Sequence, residues 1–173
     1  MPKRARARDY IEPSPAANTA DISMRSTRVM EKAGLSADTR SIITTTRPVL
    51  EAHDLAITSR MYERLFAEHP ETEALFSSAA PGQEQRLANA VLAYAEHIDD
   101  LAPIEPVVVA IAEKHVAAGV SAEHYPIVGG ALLGAMVDVL GELDSTVIDA
   151  WAEAYEYLAG IFIAVEVGLR EAA

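Results

Sequence analysis

The sequence predicts an all-helical domain, and two observations carry that expectation. From Ser36 onward apolar residues recur at the three- and four-residue spacings of a helix face, and no stretch alternates strictly enough to make a strand. Proline, glycine and small polar residues then punctuate the chain at intervals suited to helices joined by short connections. At 173 residues the chain is most simply one domain with a real core. Its boundary is expected at residue 34, because residues 1–33 lack sustained periodicity and hold Pro13, Ser14, Pro15 and Asn18. That extension is expected to be mostly disordered, with a helical turn near Arg28–Lys32 at most.

Each element has its own signal. Ser36 or Asp38 caps a first helix reaching about His53, bent or interrupted at Pro48. A second runs from about Asp54 to His69. Pro70 opens a short third one ending near Leu75 and Phe76, and residues 77–82 form a connector. A fourth covers about Gln83–Ile98, with Gln83, Leu87, Val91, Tyr94 and Ile98 on one stripe. Pro103 and Pro106 open a fifth, which Gly119 ends. Ser121 is expected to cap a helix reaching about Leu143, and Ser145 a last one running nearly to Ala173.

Three of these helices carry a polar group on an apolar stripe. His115 follows Val108, Ile111 and Ala112; Tyr125 leads Val128, Leu132, Ala135, Met136 and Val139. Glu166 follows Ile148, Trp151, Ala152, Tyr155, Ala159 and Phe162. A lone histidine in that position is hydrogen-bonded, a tolerated core residue or a metal ligand. A buried carboxylate costs several kcal/mol unless paired, so Glu166 either finds a donor such as an imidazole or phenol, or faces water in a frayed last turn.

Composition narrows the chemistry. There is no cysteine, which excludes disulfides, thiolate metal sites and cysteine catalysis. The net charge of −12 divides into +3 over residues 1–33 (seven Lys/Arg, four Asp/Glu) and −15 over the rest (seven and 22). So acidic a body argues against nucleic acid as its main partner. Lys3, Arg4, Arg6 and Arg8 read as a solvated basic tail rather than a secretory signal or a transit peptide, so a cytoplasmic location is expected. No apolar run approaches the roughly 20 residues of a membrane span.

The order of signals resembles the globin domain of bacterial haemoglobins and flavohaemoglobins over about residues 34–170. The stretches that carry it are Met61-Tyr-Glu-Arg-Leu-Phe66, Pro70-Glu71 to Leu75-Phe76, Gln83 to Tyr94, and Ile111-Ala-Glu-Lys-His115. Beyond them come His124-Tyr-Pro-Ile-Val-Gly129, Asp149-Ala-Trp151, and Phe162-Ile163 with Glu166. The resemblance implies a three-on-three helical sandwich over residues 34–173 and haem b as cofactor. His115 resembles the proximal iron ligand, with Tyr125 and Glu166 hydrogen-bonding around it. Tyr62 and Gln83 match the distal polar pair, Leu87 an apolar residue over the haem, and Phe76 the aromatic packed on it. Val91 and Ile111 would complete an apolar pocket. The connector before Gln83 is shorter than the family usually has; spacing to Leu87 and Val91 favours Gln83, and a shifted helix start would favour Gln85 instead. His53, His69, His97 and His124 fall at helix ends or exposed faces, where solvent or helix carbonyls are their natural partners.

The chemistry suits these residue types. An imidazole bound to iron presents its second N–H to an acceptor, and a carboxylate acceptor pushes electron density to the metal. A diatomic gas that gains negative charge on binding calls for a Tyr or Gln donor. The resemblance therefore implies dioxygen binding, with nitric oxide dioxygenation as the expected reaction. No segment resembling a flavin and nicotinamide reductase domain follows Glu166, so no FAD site is expected and a separate reductase would supply electrons. An oxygen carrier, a haem-based gas sensor and a globin-like fold without haem are the competing readings. Monomer and homodimer are both compatible.

Overall fold

Ser36 opens the first helix by accepting the Thr39 amide on its hydroxyl at 3.1 Å, with its own backbone extended. The computed structural model describes residues 34–173 and, from the segment before them, Met24 alone. The expectations for residues 1–33, including the turn at 28–32, lie outside the described residues. Six α-helices follow: α1 (Ala37–Ala52), α2 (Asp54–Glu68), α3 (Gln83–Glu96), α4 (Glu105–Ala118), α5 (His124–Leu140) and α6 (Ser145–Ala172). Short 3-10 segments at Pro70–Phe76 and Ala102–Ile104 precede α3 and α4. Among the described residues there is no strand, as the periodicity predicts. No helix among the described residues is long and apolar enough to cross a membrane.

Several boundaries differ from the expectation, each for a local reason. Pro48 does not interrupt α1, which is one continuous element from Ala37 to Ala52; the missing amide deprives a single carbonyl of its ladder donor. The element opened by Pro70 is a 3-10 helix, whose i to i+3 bonds suit a short run. Ser121 does not cap α5. Its backbone amide and hydroxyl turn onto the His124 ring, and the helix starts at His124, with Pro126 tolerated in the first turn. The same helix stops at Leu140 rather than Leu143, because Gly141 takes φ 78°. Asp144, not Ser145, caps α6, its carboxylate accepting the Thr146 amide at 2.8 Å. Hydrogen bonds from the Thr146 hydroxyl and amide hold the Asp144 carboxyl below its ordinary range.

The helices pack as crossed pairs. α2 packs most extensively on α5, α4 on α6, α1 on α6, and α2 on α3. Ile43, Leu50, Ile57, Met61, Leu65, Met136, Trp151, Ile161 and Val165 form the shared core. Burying side chains of this size stabilises by about 1.5–3 kcal/mol each. Polar bonds fix the helices in register: the Trp151 indole donates to Thr46 at 3.0 Å, and the Tyr94 hydroxyl to the Ala154 carbonyl at 2.8 Å. Where α2 meets α5, Gly134 lets the Arg64 guanidinium lie against the helix; a β-carbon there would sit 2.6 Å from Nε. Arg60 and Arg64 both donate to Asp138 on α5, at 2.7 and 3.0 Å.

Candidate functional site

Two polar clusters stand out, one carried by α4, α5 and α6, the other by α2 and α3. The first is built on the predicted stripes. Val108 and Ala112 of α4 are buried, and one turn on His115 is half-buried at the end of that helix. Gly119 ends α4 with φ 81°, a left-handed position that suits glycine. Tyr125 is buried in the first turn of α5, and Glu166 is only 1% exposed in α6. Glu166 is therefore a buried carboxylate, not part of a frayed end.

His115 Nδ1 lies 3.0 Å from the Tyr125 hydroxyl and 3.0 Å from Glu166 Oε1. The Tyr125 hydroxyl donates to the same carboxylate oxygen. Proton accounting sets the tautomer. An ionised carboxylate only accepts, and the single Tyr125 proton is spent on Glu166, so Nδ1 is the donor in both of its contacts. Nε2 then carries the lone pair and faces away from the relay, the arrangement a metal-ligating histidine needs. Burial, then the bond to Glu166, push the Tyr125 phenol above its ordinary pKa, which keeps it a donor. The Phe162 ring packs on both partners, with centroids 5.3 Å from His115 and 6.3 Å from Tyr125.

The second oxygen of Glu166 is different. Oε2 is buried and takes no hydrogen bond from the described residues; the Arg170 guanidinium one turn on stands 3.7 Å away. Arg170 also donates to the Val120 carbonyl just beyond α4. Neither Arg170 nor the supporting Tyr155, which donates to the Tyr125 carbonyl at 2.7 Å, was singled out from sequence. The i, i+4 spacing of Glu166 and Arg170 was the available signal for the former.

The second cluster gathers Tyr62, Phe66, Phe76 and Gln83. Tyr62 is buried, with its ring 5.3 Å from Phe76 and 5.7 Å from Phe66. Burial raises its pKa, and the neighbouring Gln83 side chain works against that shift. Gln83 is the first residue of α3, and its carbonyl oxygen accepts from Arg86 at 2.8 Å. Gln85 instead is exposed and donates to Asn89 at 3.0 Å, off the stripe.

Phe76, Leu87, Val91 and Ile111 are all half-buried and packed on the core. Val91 also lines a small apolar cavity with Leu132, Met136 and Trp151. A cavity of about 250 Å³ between Leu35, Ile98 and Tyr157 includes none of the candidate residues. α3 packs on α1 and α2 while α4 packs on α6, with no comparable packing of α3 on α4. His115 Nε2 and the half-buried Phe76, Leu87, Val91 and Ile111 are the groups that a flat apolar cofactor carrying a metal would use. The donor set and the half-buried lining fit such a group. The remaining histidines sit at helix ends: His97 Nδ1 contacts the Ala93 carbonyl at 2.9 Å, and His69 pairs with Glu71 at 3.2 Å.

A family model described as globin matches residues 59–162. The chain belongs to the globin family. It is 48% identical over 139 residues to a flavohemoprotein of Chromobacterium violaceum, covering 78% of this globin and 34% of that protein. The globin thus spans about a third of the length of the flavohemoproteins it matches. An uncharacterized globin-like protein of Aquifex aeolicus is 43% identical over 132 residues, with 76% of this chain and 94% of that one covered. Among solved structures, a bacterial globin from Campylobacter jejuni superposes with a TM-score of 0.73 at 32% identity, covering 79% of this chain and 99% of that one. An engineered carbene transferase from Rhodothermus marinus, described as a proposed nitric oxide dioxygenase, gives 0.76 at 37% identity, with 79% and 96% covered.

Proposed function

We propose that this globin binds haem b through His115 and uses it to bind dioxygen and oxidise nitric oxide to nitrate, with a separate reductase supplying the electron. The observation that carries the reading is the pair of contacts at His115 Nδ1, one to Tyr125 and one to a buried carboxylate. When bound, the haem supplies the redox-active iron and the gas-binding position. Phe76, Leu87, Val91 and Ile111 would hold it in an apolar crevice, and His115 would be its protein ligand. Glu166 orients the imidazole and loads it with charge, while Tyr125 fixes the carboxylate oxygen that does so. Tyr62 and Gln83 would be the donors that favour a gas gaining negative charge. The overall balance is one dioxygen, one nitric oxide and one electron to one nitrate. An acidic surface, −15 over residues 34–173, suits a reductase with a basic docking face.

The reading is tested by mixing the dioxygen complex of the purified, haem-loaded protein with nitric oxide in stopped flow. Rapid conversion to the ferric form with stoichiometric nitrate is expected. Slow or absent conversion overturns it. A second reading, reversible oxygen carriage without turnover, is favoured by Arg170, whose cation 3.7 Å from Glu166 Oε2 draws charge away from the relay. Slow autoxidation, and no reduction by a flavin-dependent NAD(P)H reductase, would support carriage instead.

A further inference from the structure

We propose that Arg86 is a positioning residue for the candidate gas site, fixing the Gln83 amide so that its oxygen is turned to the guanidinium and its NH2 end is the one left to donate. The inference rests on the haem-globin reading above. A guanidinium has five donors and no acceptor, so whatever it binds presents an oxygen. Arg86 Nη2 and Nε approach Gln83 Oε1 at 2.8 and 3.3 Å. The amide oxygen is thereby committed to Arg86. Only the NH2 group is left to donate to another partner.

Arg86 is itself held. Nη1 donates to the Pro81 carbonyl at 2.8 Å, and Nη2 to the Ala80 carbonyl. Both carbonyls belong to the short connector that leads into α3, and the turn between them and the helix is made by Gly82 at φ 84°. No side chain caps α3 at Gly82. Arg86 therefore does two things at once: it folds the connector onto the first turn of α3, and it polarises the first side chain of that turn. Without it Gln83 is free to turn its amide by 180°, which replaces a donor with an acceptor and opposes a gas carrying negative charge.

The test compares wild type, Arg86→Ala, Arg86→Met and Gln83→Ala as ferrous carbon monoxide complexes by infrared spectroscopy, and measures dioxygen dissociation by stopped flow. Arg86→Met keeps the aliphatic stem over the connector, so it separates lost hydrogen bonds from lost packing. Wild type is expected to show one dominant C–O stretching band. Both Arg86 variants should gain a second band at higher frequency, and release dioxygen about fivefold faster, the size expected for one neutral hydrogen bond. In the Gln83→Ala background the Arg86 substitutions should add nothing. Identical bands and rates in wild type and both Arg86 variants would overturn the proposal. So would an undiminished Arg86 effect in the absence of Gln83, which would mean direct contact with the gas. A wild-type protein that forms no carbon monoxide complex would instead sink the haem reading itself.

Discussion

The ring of Tyr155 occupies the space that a β-carbon on Gly129 would need. Such a carbon would lie 2.8 Å from Cδ1 and 3.1 Å from Cζ, and nearer still to Cε1. The approach lets the Tyr155 hydroxyl reach into the backbone of α5, where it donates to the Tyr125 carbonyl at 2.7 Å. That carbonyl belongs to the residue that contacts His115. Gly129→Ala should cost about 1–3 kcal/mol by overpacking a rigid ring. Urea denaturation of Gly129→Ala, Tyr155→Ala and the double variant checks this; the glycine substitution should cost much less once the ring is gone.

Tyr94 and Tyr155 make the fold sensitive to alkali. Burial pushes both phenols well above their ordinary value of 10. A raised folded pKa means the unfolded chain loses these protons first. Their contribution is fully present below about pH 10 and is lost as pH rises through the folded values, at roughly 1.4 kcal/mol per pH unit for each group. Tyrosinate absorbance and helical circular dichroism should therefore change together above pH 10. Ionisation of these two phenols ahead of any loss of helix would contradict the assignment.

The stripes were legible because burial leaves a period in the sequence. His115, Tyr125 and Glu166 were each picked out as a polar residue interrupting an apolar face, and they meet on one carboxylate oxygen. What periodicity did not reveal was whether Glu166 was buried at all, since a last-turn carboxylate reads the same when it faces water. Asp144 was missed as a cap because Ser145 beside it is an equally good capping type. Ser121 failed as a cap because its neighbour His124 offered a competing partner. Tyr155 lay on a predicted stripe, but its bridge to Tyr125 depends on a glycine 26 positions earlier on another helix. Arg86 carried no signal of its own; its part depends on connector carbonyls whose direction is fixed only in three dimensions.

Removing the Glu166 charge should loosen the relay's hold on the proximal side. In Glu166→Gln the amide oxygen still accepts from His115, but the negative charge is gone. With haem bound, the reduction potential should rise by on the order of 50 mV, about a tenfold change in a one-electron equilibrium. The iron–histidine stretching frequency should fall as the imidazole becomes less basic. Tyr125→Phe keeps the charge but removes a donor from a buried carboxylate, so its main effect should be on stability, about 1–3 kcal/mol. Spectroelectrochemistry, resonance Raman and urea denaturation separate the two outcomes. Equal potentials for wild type and Glu166→Gln would mean that Glu166 is only a packing partner.

Arg170 should act with the opposite sign. Its guanidinium stands 3.7 Å from the Glu166 oxygen that has no hydrogen bond, close enough to draw charge from the carboxylate without neutralising it. Arg170→Ala leaves the full negative charge to act through Oε1 on His115. The reduction potential should then fall, by on the order of 20 mV, because a partly exposed cation is screened by solvent. The iron–histidine frequency should rise. Salt offers an independent check: raising ionic strength should move the wild-type potential toward that of Arg170→Ala and leave the variant nearly unchanged. Since Arg170 also donates to the Val120 carbonyl, Arg170→Gln, which keeps a donor without the charge, is the matched comparison. A fall in potential with Ala but not with Gln would assign the effect to helix positioning, whereas a fall with both assigns it to charge.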